Sequence, residues 1–418
     1  MPIPDDFAAR LLPILDDLAT TYGTPFHVYD ARGIVAAHRE LVAAFGDAGH
    51  KQYFAVKALP NPAVLKLLLA EGSGLDCASA TELTLAARVG ATGDDVVFTS
   101  NNTHVPEYRQ ALDAGAVVTF DDRSFFDRAD ELPATVAFRM SPHGSAAGSG
   151  LMGDTAHSKF GVPVAELAAS YREAARRGAT RFGLHGMTCA NELSAERAAR
   201  AATDVFATGA QLAEAGIELD YVNIGGGLGI RYRPEDVAID LADWAAAVVA
   251  ARDRHFPDRA PRILTELGRI VTGPHGVLVS RVINRCRKGR EVVGLDASMS
   301  ALMRPALYGA YHHISLPFVG GRPESPFDVV GGLCENMDKF ALDRALPDPR
   351  PGDLALIHDT GAHGQAMGFT YNGRLRPAEL LLTEAGEVVE IRRAETFDDY
   401  TATVCWEPAP VLTAGVAR

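Results

Sequence analysis

Short apolar or β-branched runs recur along the first two thirds of the chain, and most are followed by a stretch with helical spacing. The runs are Tyr53–Ala58, Gly74–Ala78, Asp95–Ser100, Val117–Asp121, Thr135–Met140, Arg181–Thr188, Tyr221–Ile224 and Arg262–Glu266. Ala- and Leu-rich segments such as Ala80–Val89 and Leu193–Ala215 lie between them. Strands alternating with helices predict a parallel sheet, because joining two parallel strands needs a crossover. Eight such runs fit a closed (β/α)8 TIM-type barrel of about 250 residues, with a doubly wound open sheet as the alternative.

Beyond about Arg269 the texture changes. Val277–Ile283, Val292–Leu295, Phe327–Val330, Asp353–Ile357, Leu380–Thr383 and Val388–Ile391 read as strands parted by turns, and long helical periods are scarce. A β-rich second domain, barrel or sandwich, is expected there. Thr24–Tyr29 (TPFHVY) is a further strand that can join the same sheet system. The expected division is a barrel over residues 31–275, with residues 1–30 and 276–418 forming the β-rich domain.

Charge and cysteine usage narrow the function. The net charge is −13 and no basic stripe stands out; the nearest, Arg281–Arg290, is interrupted by Cys286 and Gly289. This argues against nucleic acid or an anionic membrane as partner and favours a small-molecule enzyme. The five cysteines are widely spaced with no CxxC pair, so neither a disulfide framework nor a structural metal site is expected. No basic run precedes an apolar stretch at the N-terminus, and no apolar run reaches the ~18 residues of a membrane span. A cytoplasmic protein is the expectation.

In a barrel enzyme the chemistry gathers at the C-terminal ends of the strands. That rule selects Lys57, Asp76, Asn101 and Asn102, Arg139, the segment His185–Asn191, the glycines Gly225, Gly226, Gly227 and Gly229, and Glu266 to Arg269. Lys57, in YFAVKALPNP, reads either as a surface lysine at a strand end or as a Schiff-base lysine, whose amine needs desolvation to become nucleophilic. The run NIGGGLGIRY can bring backbone amides close to a phosphate, although glycine runs are more often turns, and this one does not match a dinucleotide fingerprint. Glu266, in TELGR, reads as a carboxylate paired with Arg269 or as the partner of a cofactor's ring nitrogen. Cys334, in LCENMDKF, is by itself most simply a small buried hydrophobe.

Taken in order, TPFHVYD, YFAVKALPNPAVL, GLDCASATEL, KFGVP, NIGGGLGI, TELGRIVTGPHG, LMRPALYGAYHH, LCENMDKFA and HDTGAHGQAMGFTYNGRLRPAELL resemble the fold-type III pyridoxal-phosphate decarboxylases. Diaminopimelate decarboxylase is the nearer member and ornithine decarboxylase the more distant one. The segments span about residues 24–395, and their order makes the set specific. The resemblance implies an alanine racemase-like barrel-plus-β fold, pyridoxal 5'-phosphate as cofactor, and decarboxylation of meso-2,6-diaminopimelate to L-lysine. It implies that Lys57 holds the cofactor, that Glu266 pairs with its pyridine nitrogen, and that Gly225, Gly226 and Gly227 with Arg269 hold its phosphate. Asp76, His185, Met187, Asn191 and His363 complete the cofactor's surroundings. Arg304 and Tyr308 would meet the substrate's distal end, together with Arg269 and Tyr371. Cys334, which with Lys57 is a candidate proton donor, and Glu335 would serve the neighbouring protomer's site, which makes the enzyme a head-to-tail homodimer.

The chain departs from the family pattern around the cofactor. Where the family reads GLHxHIGSQ, this chain reads GLHGMTCAN, so Met187 takes the place of a ring-stacking histidine and Ala190 that of a phosphate-binding serine. Leu267 replaces a proline, and His363 replaces a phosphate-contacting tyrosine. The set resembles a variant subgroup of diaminopimelate decarboxylases with ELGR, CEN-DKFA and GAHG. The rival readings are a decarboxylase of a related amino acid, an amino-acid racemase, and a non-catalytic regulatory homologue. The racemase pattern lacks the CEN-DKF and RPALY segments, and a regulatory homologue should have lost Lys57 or Cys334.

Overall fold

The computed structural model describes residues 3–142, 157–187 and 189–407. The first strand, β1 (Phe26–Asp30), precedes eight strands that close on themselves. These are β2 (His50–Ala55), β3 (Gly74–Cys77), β4 (Val96–Thr99), β5 (Val117–Phe120), β6 (Thr135–Arg139), β7 (Arg181–His185), β8 (Tyr221–Asn223) and β9 (Arg262–Thr265). Every neighbouring pair is parallel, and the pairing of β2 with β9 (His50 opposite Ile263) shuts the barrel. The open-sheet alternative is thereby excluded. Seven of the eight predicted runs contain their strand, and the first overlaps β2, which begins three residues earlier, at His50; all eight strands stop before their runs do: the sixth ends at His185, and Thr188 lies outside the described residues.

Tyr53, Val97, Ala137, Tyr221 and Leu264 pack together inside the barrel, while a larger core joins the strands' outer faces to the helices. The crossover helices begin where a side chain accepts from an otherwise unpaired backbone N–H. Ser79, Ser194 and Asp240 do this for the helices Ala80–Val89, Ala195–Glu214 and Leu241–His255. Apolar residues on one face of each helix then bury against the barrel, which is where most helical stability arises.

The remaining strands are β10 (Gly276–Arg287), β11 (Glu291–Leu295), β12 (Ile314–Ser315), β13 (Glu324–Val330), β14 (Lys339–Pro347), β15 (Leu354–Ile357), β16 (Ala378–Leu382) and β17 (Val388–Arg392). With β1 they form a nine-stranded mixed sheet whose main path runs β14-β13-β11-β10-β1-β16-β17. The strand Thr24–Tyr29 expected to join this sheet does so, between β10 and β16. Two features were not legible. Residues Asp5–Leu11 and Leu15–Tyr22 are helical, and Phe7, Leu11, Leu15 and Leu18 cover the apolar face carrying Val28, Val277 and Leu380. Strand β14 was also missed, because its pattern of part-buried charges (KFALDRALP) carries little alternation.

Candidate active site

The barrel mouth collects the strand-end residues into one cleft open to solvent. It is lined by Ala55, Lys57, Met187, Ala190, Asn191, Gly226, Gly227, Leu228, Glu266, Gly268, Arg269 and His363. Roomier grooves occur elsewhere on the surface, but neither the one at Ile230 and His275 nor the one at Tyr311 and Arg344 brings a lysine beside a buried carboxylate. Lys57 sits two residues past the end of β2, on the 3-10 turn Val56–Ala58. Its side chain is 51% exposed, so Lys57 is an accessible amine at the cleft wall rather than a desolvated one.

Lys57 Nζ lies 3.9 Å from Asp76 Oδ2 on the adjacent strand. Asp76 is buried and its Oδ1 has no hydrogen-bond partner among the described residues. Burial, reinforced by the charge of Glu266, raises the Asp76 pKa well above the carboxylate range, against the pull of Lys57. Glu266 behaves oppositely. Burial opposes its ionisation, but His185, Lys57 and the amide of Asn223 outweigh that and hold its pKa at about 2. Its Oε2 is 3.1 Å from His185 Nε2, and its Oε1 accepts from Asn223 Nδ2 at 2.7 Å and from Thr99 Oγ1 at 3.2 Å. Two buried carboxyl groups are thus driven apart in protonation by their surroundings.

Glu266 forms no ion pair with Arg269 among the described residues, so that reading of TELGR is corrected. The strand end turns at Gly268, and Arg269 swings to donate to Tyr232 Oη at 2.6 Å. His185 is buried and is not among the residues lining the cleft; it meets Glu266 Oε2 through Nε2. Met187, Asn191 and His363 do reach the cleft. The His363 backbone N–H donates to Ala58 O at 2.8 Å, and its φ of 56° is left-handed. Burial and the charges of Arg269, Arg304 and Lys57 push its imidazole down to about 3, so the ring is neutral at pH 7.

Glycine is required where the chain crowds. A Cβ on Gly227 would come 2.2 Å from Cys189 O at a φ of 109°, and one on Gly226 would come 2.5 Å from Glu266 O. Gly225 is not in the cleft lining, but its N–H is held by Asn223 Oδ1 at 2.9 Å.

Arg304 is buried at 2% exposure; it makes no direct ion pair among the described residues, although the buried Asp359 lies near enough to favour its charged form. Its Nη1 is 2.8 Å from His312 Nε2, and its guanidinium lies 4.5 Å above the Tyr232 ring, which Arg269 also approaches. Tyr308, one helical turn on, is half-exposed. Cys334, Glu335 and Tyr371 are exposed and do not line the cleft of their own chain. They sit together on the β-rich part, where Asn372 Oδ1 accepts from Cys334 N at 2.7 Å. Cys334 is therefore not the buried hydrophobe its type suggested. Sequence reasoning passed over Asn223, Thr99, Tyr232 and His312; three of them had a signal, since Asn223 and Tyr232 bound NIGGGLGIRY and His312 lies in LMRPALYGAYHH.

A closed parallel barrel with a mixed sheet beside it, an accessible lysine, an ionised buried carboxylate and a glycine loop at one mouth fits pyridoxal phosphate. The amine can hold the aldehyde carbon, the carboxylate can face a ring nitrogen, and crowded glycine amides can face a phosphate. The chain belongs to the pyridoxal-dependent decarboxylases: the family described as "Pyridoxal-dependent decarboxylase, pyridoxal binding domain" matches residues 31–273. It is a pyridoxal-phosphate-dependent carboxy-lyase acting on an amino acid. It is 66% identical to Protein TabA of Pseudomonas amygdali pv. tabaci over 99% of this chain and 98% of that one. It is 35% identical to diaminopimelate decarboxylase of Methanothermobacter thermautotrophicus over 92% of each. The diaminopimelate decarboxylase of M. jannaschii, solved with L-lysine, superposes with a TM-score of 0.87 at 28% identity, covering 94% of each chain. No helix among the described residues is long and apolar enough to cross a membrane.

Proposed function

We propose that the enzyme decarboxylates an amino acid bearing a second carboxylate at its far end, with meso-2,6-diaminopimelate as substrate and L-lysine and carbon dioxide as products. The observation that carries this reading is Arg304. A guanidinium buried without a direct ion pair is costly, and a ligand carboxylate would supply that pair. Its planar fork suits both oxygens of a carboxylate. Arg269, sharing the Tyr232 ring, adds a second cation to the same side of the site.

The residue roles follow from placement. Lys57 Nζ would hold the cofactor. Glu266, held ionised, faces the pyridine nitrogen. Gly226 and Gly227 with Arg269 would hold the phosphate, with Gly225 anchoring their loop through Asn223, while Met187, Asn191 and the neutral ring of His363 line the remaining walls and Asp76 stands behind Lys57. His185 acts at one remove, through Glu266. The cofactor supplies an electron sink for the pair left when carbon dioxide departs. A proton must then reach Cα, and Cys334 Sγ donates it. Because Cys334, Glu335 and Tyr371 are exposed and do not line their own cleft, they are free to serve the site of a second copy in a head-to-tail homodimer, where Glu335 would receive the distal ammonium. Tyr308 adds a hydroxyl beside Arg304. The five cysteines, none paired, suit a cytoplasmic enzyme.

A second reading is a related amino acid that keeps the distal carboxylate but differs in its middle. It is favoured by the 66% relative, whose name is not that of the relatives at 32–35%. Carbon dioxide release from meso-diaminopimelate, ornithine and lysine, compared by kcat/KM, tests the proposal. Preference for diaminopimelate supports it, and preference for a substrate with one carboxylate overturns both readings.

A further inference from the structure

Three consecutive barrel strands deliver one connected set of buried polar groups. His185 ends β7, Asn223 ends β8 directly beside it in register, and Glu266 follows the end of β9. Asn223 is 1% exposed and uses both ends of its amide. The nitrogen donates to Glu266 Oε1 at 2.7 Å, and the oxygen accepts from Gly225 N at 2.9 Å. Gly225 O in turn accepts from Glu266 N at 2.7 Å, so the glycine loop and the carboxylate are tied through backbone and side chain together.

We propose that Asn223 is a positioning residue that couples the carboxylate end of the cofactor site to its glycine-loop end, and that it requires a single negative charge on the Glu266 side. The inference rests on reading the cleft as the cofactor site. Only an amide can do both jobs. Aspartate has the same shape and would still accept from Gly225 N, but it offers no donor and would place a second carboxylate oxygen against Glu266 Oε1. Like charges at that separation do not both stay ionised, so the pair would take up a proton. Alanine would leave the Gly225 N–H and one Glu266 lone pair without partners. Such orphaned buried groups are expensive in a low-dielectric site.

Because Asn223 is outside the cleft lining, its effect must travel through Glu266 and Gly225. Glu266 displaced by charge repulsion carries its backbone N–H with it, and that N–H holds Gly225 O. A Cβ-free Gly226 lies against Glu266 O, so the loop has no slack to absorb the movement.

The test uses the full chain, titrated with pyridoxal 5'-phosphate and followed by absorbance. Asn223→Asp is expected to weaken cofactor binding by roughly 30-fold at pH 8, with partial recovery at pH 6 as the carboxylate pair takes its proton. The cofactor-free variant should also lose thermal stability more steeply than the wild type as pH rises from 6 to 8. In Asn223→Asp/Glu266→Gln the hydrogen bond is restored with donor and acceptor exchanged. That double variant should regain the thermal stability of the cofactor-free wild type but not its bound-cofactor spectrum, because residue 266 is no longer an anion. Unchanged cofactor affinity and a flat pH profile in Asn223→Asp would overturn the inference. If Glu266→Gln alone leaves affinity, spectrum and turnover intact, the cofactor reading itself fails, a pattern distinct from failure of Asn223→Asp.

Discussion

Replacing Arg304 separates recognition from architecture, because the structure gives this side chain both a ligand-seeking charge and a packing role. Its guanidinium is 2% exposed, lies 4.5 Å over the Tyr232 ring and contacts His312 Nε2 at 2.8 Å. His312 is itself held by His358 O at 2.7 Å, and burial and the adjacent Arg304 charge keep its ring neutral, so it does not compensate the guanidinium. A substrate carboxylate placed against Arg304 would therefore form a desolvated pair. Truncating one member of such a pair costs about 2–5 kcal/mol. At 1.4 kcal/mol per tenfold, that is a loss of about 30-fold to about 4,000-fold in kcat/KM. Arg304→Met preserves apolar contact with Tyr232, and Arg304→Lys keeps the charge without the fork. The assay is kcat/KM for diaminopimelate and for lysine in the wild type and both variants. Diaminopimelate should lose the stated factor in Arg304→Met and less in Arg304→Lys, while lysine should change little. Equal losses for both substrates would refute the reasoning, since Arg304 would then support the fold rather than read the distal carboxylate.

Lys57→Ala is expected to abolish stable cofactor retention and lower turnover by several orders of magnitude; borohydride trapping followed by peptide mapping should mark Lys57, and labelling of another lysine would contradict the assignment. Mixing Lys57→Ala with Cys334→Ala subunits should restore about a quarter of wild-type activity, because half of random dimers are mixed and each has one intact site of two. No recovery despite verified subunit exchange would place both residues in one chain's site. Asp76 supplies a pH test: its folded pKa is raised above the unfolded one, so its contribution to stability is present below the unfolded pKa and lost as pH climbs toward the folded value. Asp76→Asn should accordingly stabilise the cofactor-free protein relative to wild type at pH 7 and scarcely at all at pH 4, and thermal denaturation at the two pH values measures this. The reverse ordering would show that the Lys57 contact outweighs burial.

Strand placement was legible in the sequence because strand interiors in a parallel barrel are buried on both faces and read as short apolar runs. The ordered motifs pointed to the cofactor and to Lys57, Glu266 and the glycine loop, since glycines and strand-end polar residues stand out against apolar neighbours. The two N-terminal helices were not legible. Their apolar positions, Phe7, Leu11, Leu15 and Leu18, acquire meaning only against the sheet face they cover.

Within the site, local pattern identified residue types but not partners. It could not show that Glu266 would turn to His185, Asn223 and Thr99 rather than to Arg269 three residues away, because those partners come from three other strands and meet only when the barrel closes. It could not distinguish Asp76 from Glu266, two strand-end carboxyls whose protonation is set by opposite surroundings. The sequence by itself determined that eight strands with crossover helices would form and which residues would stand at their ends. The tertiary structure alone decided the protonation, hydrogen bonding and burial of those residues, because each depends on groups distant in the chain and on the exclusion of water between them.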